Sequence, residues 1–215
     1  MTDYRLIRSK RRTLSICVDQ EGALVVRAPM RMPVREIEAF IAQKERWICE
    51  KQALAAQRER FVLEDGARMP FAGGFLRLRL CDGQKAEECC GELFLPREKA
   101  LEAARAWRKA RAAELLGPRI AQWSGVTGLV PLSVAYTQAR KRWGSMSSRG
   151  VLRLNAALVH CPANCWDYVI VHELCHMAQH NHSPAFHALV RSFLPEADEI
   201  RSRMKQMGHW AGLLS

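Results

Sequence analysis

The stretch DYVIVHELCH, residues 167–176, places two histidines and a glutamate at the end of an apolar run. His172 and His176 are four residues apart, a net rotation of about 40° on an α-helix, so both imidazoles face the same way one turn apart. Two ligands of one zinc ion need this geometry, and Glu173 can reach a zinc-bound water without binding the metal itself. The apolar residues predict a buried helix, in which these polar groups would be costly without a partner such as a metal ion.

The third metal ligand is predicted to be His182. A catalytic zinc site usually has three protein ligands and one open position. His180 lies about 12 Å along the helix axis from His172 and is too distant to share its metal ion. Asn181 can end the helix, and Ser183-Pro184 have the character of an N-cap and a first helical residue. His182 therefore lies in a tight corner between two helices, which can fold it back over the metal.

Around this motif the sequence predicts two short strands and a long helix. Alternating apolar residues predict strands near residues 134–138 and 151–154, joined by a turn-rich connection over residues 142–150. The motif helix is predicted to begin near residue 165, with Asn164 as its N-cap, and to run to about residue 180.

The N-terminal half is predicted to be rich in β-structure. Alternating apolar residues predict a hairpin over residues 13–28 and a pair of strands over residues 76–80 and 91–95. A helix is predicted from Pro33 to about residue 60. Residues 97–123 predict another helix, which Gly117-Pro118 is expected to break or kink.

The composition is that of a globular protein, with 48% hydrophobic and 26% charged residues in 215. No stretch reaches the ~18 consecutive apolar residues of a membrane helix. The N-terminus is polar and basic and lacks the apolar run of a secretory signal, which predicts a cytoplasmic location. Cys161 and Cys165 lack the second cysteine pair that a structural zinc site would need.

The chain is strongly basic, with a formal net charge of +11. Basic clusters at residues 8–12, 105–111 and 140–142 are compatible with a surface for nucleic acid or another polyanion. They are equally compatible with a solvated basic surface that has no partner. The sequence does not indicate an oligomeric state.

These motifs resemble the bacterial YgjP-like metallopeptidase family, which is related to the SprT-like and WLM zinc proteases. The resemblance rests on RWGS (142–145), DYVIVHELCH (167–176) and NHSPAF (181–186), and on the N-terminal pieces KRRTLS (10–15), VRAP (26–29) and WI (47–48). It implies that His172, His176 and His182 bind zinc and that Glu173 is the general base, in agreement with the helix geometry. The family usually has a cysteine after the Trp-Gly-Ser run, where this chain has Met146, so no role for that thiol carries over.

The predicted fold class is therefore α+β. Residues 1–96 are predicted to form an N-terminal β-rich domain with one long helix. Residues 97–215 are predicted to form a zincin-like catalytic domain, which includes the connecting helix, a small antiparallel sheet and the active-site helix.

The predicted function is that of a zinc-dependent metallopeptidase acting on a peptide or protein. Glu173 would take a proton from the zinc-bound water as it attacks a peptide carbonyl and deliver it to the leaving amine. An extended peptide could pair with the strand near residues 151–155 if that strand is an edge. Two alternatives stay open: hydrolysis of nucleotide phosphoanhydrides, for which no phosphate-binding loop is present, and a zinc-stabilised nucleic-acid-binding module. Histidine ligands also accept manganese, cobalt or nickel.

Four neighbouring residues have ambiguous roles. Tyr168 could assist an oxyanion, although packing is the favoured role. Trp143 could line a substrate cleft, although plugging the junction between sheet and helix is favoured. Arg142 is either a substrate clamp or a surface charge, and His160 is expected to be solvated or locally hydrogen-bonded.

Overall fold

The computed structural model describes residues 3–19, 21–56, 61–139 and 142–214. Two compact units comprise Met1–Arg60 and Phe61–Ser215. The predicted division into functional domains at residues 96 and 97 stays a prediction. The prediction of a mixed α+β fold is confirmed, because helices alternate with several small sheets along the chain.

The first unit is a three-stranded sheet with two helices. Its elements are β1 (Tyr4–Ser9), β2 (Ser15–Val18), β3 (Leu24–Pro29), α1 (Val34–Gln43) and α2 (Glu45–Ala56). β2 and β3 pair antiparallel, as the predicted hairpin requires, while β1 joins β3 in parallel and was not predicted. The predicted long helix is divided at Lys44, and its predicted end at residue 60 lies outside the described residues.

The core of this unit is small and apolar. Leu24 and Val26 on β3 pack against Ile37 on α1 and Ile48 on α2, all of them nearly inaccessible to solvent. The alternate residues of β3 that point to one side of the sheet thus pack against the residues that recur at helical spacing on α1 and α2.

The second unit begins with a four-stranded sheet. Its strands are β4 (Arg68–Phe71), β5 (Gly74–Cys81), β6 (Glu87–Cys89) and β7 (Glu92–Pro96), in the order β4-β5-β7-β6. The predicted pairing of the segments at 76–80 and 91–95 is confirmed, as the parallel pair β5 and β7. Leu76 and Leu78 are buried, whereas the arginine between them, Arg77, is exposed.

Helix α3 (Ala100–Thr127) connects this sheet to the rest of the unit. Its first half contributes Ala104 and Trp107 to the core under the four-stranded sheet. Its second half contributes Leu116 and Ile120 to the core that surrounds the histidine motif. Of the two effects predicted for Gly117-Pro118, a break is wrong, because the helix continues through Pro118, whereas a kink stays a prediction. Burial of the residues on either side of the proline outweighs the hydrogen bond that proline removes.

A second small sheet follows α3. Its strands are β8 (Ser133–Thr137), β9 (Gly144–Met146) and β10 (Val151–Asn155), in the order β8-β10-β9. β10 pairs antiparallel with β9 but parallel with β8, so the sheet is mixed and the prediction of an antiparallel sheet is wrong. The segment predicted as a connection contains β9, and β10 is the central strand rather than an edge.

Three helices complete the second unit: α4 (Ala163–Cys175), α5 (Pro184–Phe193) and α6 (Ala197–Gln206). Short 3₁₀ segments at Ala156–His160 and Met207–Gly212 precede and follow them. None of the described helices has the length and apolar content needed to cross a membrane. The cytoplasmic location stays a prediction.

Candidate metal centre

Helix α4 is held in place by its apolar sequence and by one carboxylate. Most of its side chains are buried, and the Trp166 indole N–H donates to the Leu158 carbonyl at 2.6 Å. Asp167 accepts a hydrogen bond from Trp123 Nε1 at 2.9 Å and two from Arg119 Nη1, at 3.0 and 3.3 Å. Since both donors lie on α3, this carboxylate ties the two helices together and fixes the orientation of α4.

Both ends of α4 differ from the prediction. Pro162, not Asn164, is the N-cap, and the Asn164 side chain lies inside the first turn. The helix ends at Cys175, and tight turns follow in which the Met177 and Ala178 amides donate to the Leu174 and Cys175 carbonyls, respectively. The chain therefore leaves the helix axis directly after the second histidine of the motif.

The three predicted ligands converge at this end of α4. The rings of His172 and His176 have centroids 5.1 Å apart, and His182 returns with its Nε2 atom 3.1 Å from Nε2 of His172. One ring nitrogen from each of the three lies within 4.8 Å of the others. Two ligands about 2.0–2.1 Å from a tetrahedral ion are separated by about 3.3 Å, close to the distance between these Nε2 atoms.

His182 is positioned by the start of α5, as predicted. Ser183 is the N-cap of this helix, its Oγ accepting a hydrogen bond from the Phe186 amide at 3.3 Å, and Pro184 is the first helical residue. Phe186 is completely buried, and its ring centroid lies 4.5–5.0 Å from those of the three histidines. No separate sequence signal predicts this role of Phe186, whose ring packs against the three imidazoles and sets their spacing.

The surroundings favour neutral imidazoles. Burial, reinforced by the neighbouring histidines, lowers the pKa of His172 to about 3. Burial also lowers the pKa of His176, although the hydrogen bond between its Nδ1 atom and the Gln179 carbonyl opposes this shift. A neutral imidazole has a free lone pair, so these rings can bind a cation at neutral pH without first losing a proton.

Glu173 is buried beside the histidines, with 7% of its surface exposed. Burial raises its pKa to about 7, while a hydrogen bond with the Met146 backbone and the charge of Arg142 act in the opposite direction. A carboxyl group with this pKa can both accept and return a proton near neutral pH. Arg142 is exposed and acts on the site electrostatically.

Gly144, at the start of β9, allows Glu173 to lie where it does. A Cβ atom at this position would be 2.7 Å from Cγ and 2.9 Å from Oε1 of Glu173. No side chain other than hydrogen fits there without displacing the carboxylate. The sequence motif RWGS contains this glycine, but nothing local to the motif indicates its contact with α4.

Two cavities meet at Glu173. The larger, the metal cleft, has a volume of about 600 Å³; the smaller, the side pocket, has a volume of about 270 Å³. The metal cleft is lined by β9, the turn after it, and His172, Glu173, His176, His180 and His182. Among the described residues, the side pocket shares Gly144, His172 and Glu173 with it.

The residues of ambiguous role divide between these cavities and the core. Trp143 and Tyr168 both line the side pocket and pack against the core around α4, so the two interpretations of Trp143 are compatible. The Tyr168 and His172 rings have centroids 5.6 Å apart. The prediction for His160 is wrong: it is completely buried, and its Nδ1 atom is 2.8 Å from the carbonyl of Pro70, which is distant in sequence.

Comparison with known proteins gives one family. The model of the YgjP-like, metallopeptidase domain matches residues 12–207. Two solved structures are similar over 43% of this chain: the metallopeptidase zymogen of Methanocaldococcus jannaschii jannalysin (22% identity, 95% of that chain, TM-score 0.39) and that of Pyrococcus abyssi abylysin (23% identity, 90% of that chain, TM-score 0.36). No curated protein sequence matches the chain.

Proposed function

Because the chain belongs to the YgjP-like metallopeptidase domain family, we propose that it is a zinc-dependent peptidase with a zincin-like active site. His172, His176 and His182 hold the metal in this proposal, and Glu173 is the general base. Family membership already makes the chain a hydrolase of the metallopeptidase class with peptide or protein substrates. The observation that carries the finer proposal is the convergence of three ring nitrogens beside a buried carboxyl group.

The donor set suits a catalytic rather than a structural ion. Three imidazole ligands leave one position open, whereas structural zinc sites usually close the shell with four protein ligands. Imidazole nitrogen also suits cobalt, nickel or manganese, and metal analysis distinguishes them from zinc. When bound, the ion acts as a Lewis acid that polarises a carbonyl and acidifies a water molecule.

Glu173 performs the proton transfers in this proposal. Its carboxylate accepts a proton from the attacking water and later returns the proton to the leaving amine nitrogen. The hydrogen bond with the Met146 backbone holds the carboxylate at the cleft. Gly144 leaves the room that the carboxylate occupies, because it has no side chain. Its raised pKa, about 7, keeps the two protonation states close in free energy.

The strand β9 is the element that would align a peptide. Among the described strands it pairs with β10 alone, at the edge of its sheet, and residues Gly144–Met146 line the metal cleft. An extended substrate can add to such an edge through main-chain hydrogen bonds. β9 therefore takes the role that the sequence assigned to residues 151–155.

The two alternative functions have less support. The basic cluster at residues 105–111 is largely engaged within the protein: Arg105 donates to the Leu214 carbonyl, Arg108 is buried, and Arg111 pairs with Glu88. Lys109 is the one exposed cation of this cluster, so the cluster offers little free surface to a polyanion. Within the cluster at 140–142, residues 140 and 141 lie outside the described residues, so nucleic-acid binding stays a prediction.

Metal content and activity test this proposal together. We expect about one zinc ion per chain by elemental analysis of wild-type protein, a clear loss in His182→Ala, and no loss in the matched variant His180→Ala. Glu173→Gln is expected to retain the metal. It should no longer hydrolyse a casein-derived peptide mixture, an activity that is monitored by mass spectrometry. Wild-type protein that stays metal-free in excess zinc, or equal activity in Glu173→Gln, would refute the assignment.

A further inference from the structure

The side pocket has apolar walls and the size of one residue. Its volume of about 270 Å³ is at the lower limit of the roughly 300–1,000 Å³ typical of pockets for drug-sized ligands. Val169 and Met204 are buried and Trp143 is partly buried, so three of its walls offer apolar contact. Because the pocket shares Glu173 with the metal cleft, a side chain inside it belongs to a residue close to the reacting bond.

Two cations form the outer rim of the side pocket. Arg201 and Lys205 line it from α6, four residues apart and therefore on one face of the helix. The charge of Arg201 acts on both Tyr168 and His172. Among the residues that the structure describes, neither the Arg201 nor the Lys205 side chain has an ion-pair or hydrogen-bond partner.

The acidic residues of α6 pair with arginines other than Arg201, although the charge of Asp198 also acts on Tyr168. Asp198 accepts a hydrogen bond from Arg191 at 3.2 Å, and Glu199 accepts one from Arg203 at 2.8 Å. Both carboxylates are thus engaged by other arginines. Two like charges one turn apart repel each other, and an anionic ligand between them would relieve that repulsion.

We propose that the side pocket binds a substrate residue through a carboxylate that Arg201 and Lys205 recognise. Arginine matches the geometry of a carboxylate with two parallel hydrogen bonds, and lysine adds a point charge. The peptidase then selects peptides in which a residue next to the scissile bond carries this group, as a glutamate side chain or as the C-terminal carboxylate. The proposal deepens the proposed peptidase function and rests on it.

Paired substrates test the charge preference and its source. Cleavage sites are first located in a peptide mixture by mass spectrometry. Matched peptides then carry glutamate or glutamine on each side of the bond, or end in a free acid or an amide. For the preferred source we expect kcat/KM to be roughly 10- to 100-fold higher for the carboxylate, the range of one charge-assisted hydrogen bond. Which pair shows the difference identifies the source.

Variants on α6 assign the preference to the rim. The ratio to follow is kcat/KM for the acidic peptide divided by kcat/KM for its neutral partner. In the double variant Arg201→Met/Lys205→Met, this ratio should fall to about one because kcat/KM for the acidic peptide decreases. Arg203→Met is the matched control on the same helix, because its guanidinium pairs with Glu199, and it should keep the wild-type ratio. A ratio near one in wild type, or a ratio that survives in the double variant, overturns the proposal.

A binding measurement separates this proposal from the peptidase assignment. In Glu173→Gln protein, fluorescence anisotropy compares labelled acidic and neutral forms of the same peptide, with and without the two rim substitutions. Tighter binding of the acidic form that depends on the rim supports the pocket even if no peptide is cleaved. Equal binding of both forms overturns it even if the protein is an active peptidase.

Discussion

Replacing Gly144 by alanine should misplace Glu173 while leaving the three proposed metal ligands intact. The added Cβ would lie 2.7 Å from Cγ, 2.9 Å from Oε1 and 3.0 Å from Cδ of Glu173. Non-bonded carbons prefer about 3.5–4.0 Å, so the glutamate must retreat by roughly 1 Å inside a packed environment. A displacement of about 1 Å costs about 10²-fold in rate, or roughly 2.7 kcal/mol of transition-state stabilisation.

The assay measures kcat/KM, zinc content and thermal stability in the same preparation. We expect Gly144→Ala to bind zinc as the wild type does, to lose about 10²-fold in kcat/KM, and to lose about 1–3 kcal/mol of stability through overpacking. Gly125→Ala is the control, because no heavy atom lies within 4 Å of its added Cβ inside α3. That variant should keep full activity, and its free energy of unfolding should rise by up to about 1 kcal/mol, because alanine favours the helix more than glycine does.

A double-mutant cycle isolates the clash as the cause. In a Glu173→Ala background the methyl group at residue 144 meets no carboxylate, so Gly144→Ala should destabilise the protein much less than it does in wild type. The reasoning is refuted if Gly144→Ala retains activity within about twofold of wild type with zinc bound, or if its cost in stability is the same in both backgrounds.

Three further predictions concern the supports of the site. Ser183→Ala removes the N-cap next to His182 and should lower the free energy of unfolding by about 1 kcal/mol, measured by thermal melting. It should also weaken zinc affinity, measured by competition with a chelator. Asp167→Ala should lower the free energy of unfolding by about 3 kcal/mol, measured by urea titration. Asp167→Asn should lower it less, because the amide oxygen still accepts the hydrogen bond from Trp123. Equal losses in the two variants would contradict this. Burial lowers the pKa of His160 from 6.5 to about 4, so only the unfolded chain gains a proton between these pH values. Stability should then fall as the pH drops from 7 to 5, by about 2 kcal/mol more in wild type than in His160→Gln.

The parts of the site that the sequence predicts are those that follow from helix geometry and capping. The four-residue spacing of His172 and His176 determines a shared face, and Ser183 and Pro184 determine where the next helix begins. These rules act over one or two turns, so they can be applied without knowing the fold. They led to the three proposed ligands, whose ring nitrogens the structure brings together, including His182 across the corner.

The parts that were missed depend on contacts between distant segments. β9 is three residues long, too short for a periodic signal, and its pairing with β10 decides which strand is an edge. The contact between Gly144 and Glu173 spans 29 positions, and the carbonyl of Pro70 that meets His160 is 90 positions away. Helix α3 passes through Pro118 because its flanking residues are buried in a core that the local sequence does not define.

The positive charge of the chain illustrates why composition alone could not assign a function. A net charge of +11 suggested a surface for polyanions, but the structure separates the basic residues by their partners. Arg108 is buried, and desolvation lowers its pKa to about 10, whereas Arg111 is paired with Glu88 and Glu114. Arg201 and Lys205 lie in a helix for which the sequence predicted no role, and they line the same pocket as Glu173 because buried residues of α6 pack against α4. In our proposal the cations that bind the substrate are Arg201 and Lys205, which share the side pocket with Glu173, and a single carboxylate is the ligand that their number and position favour.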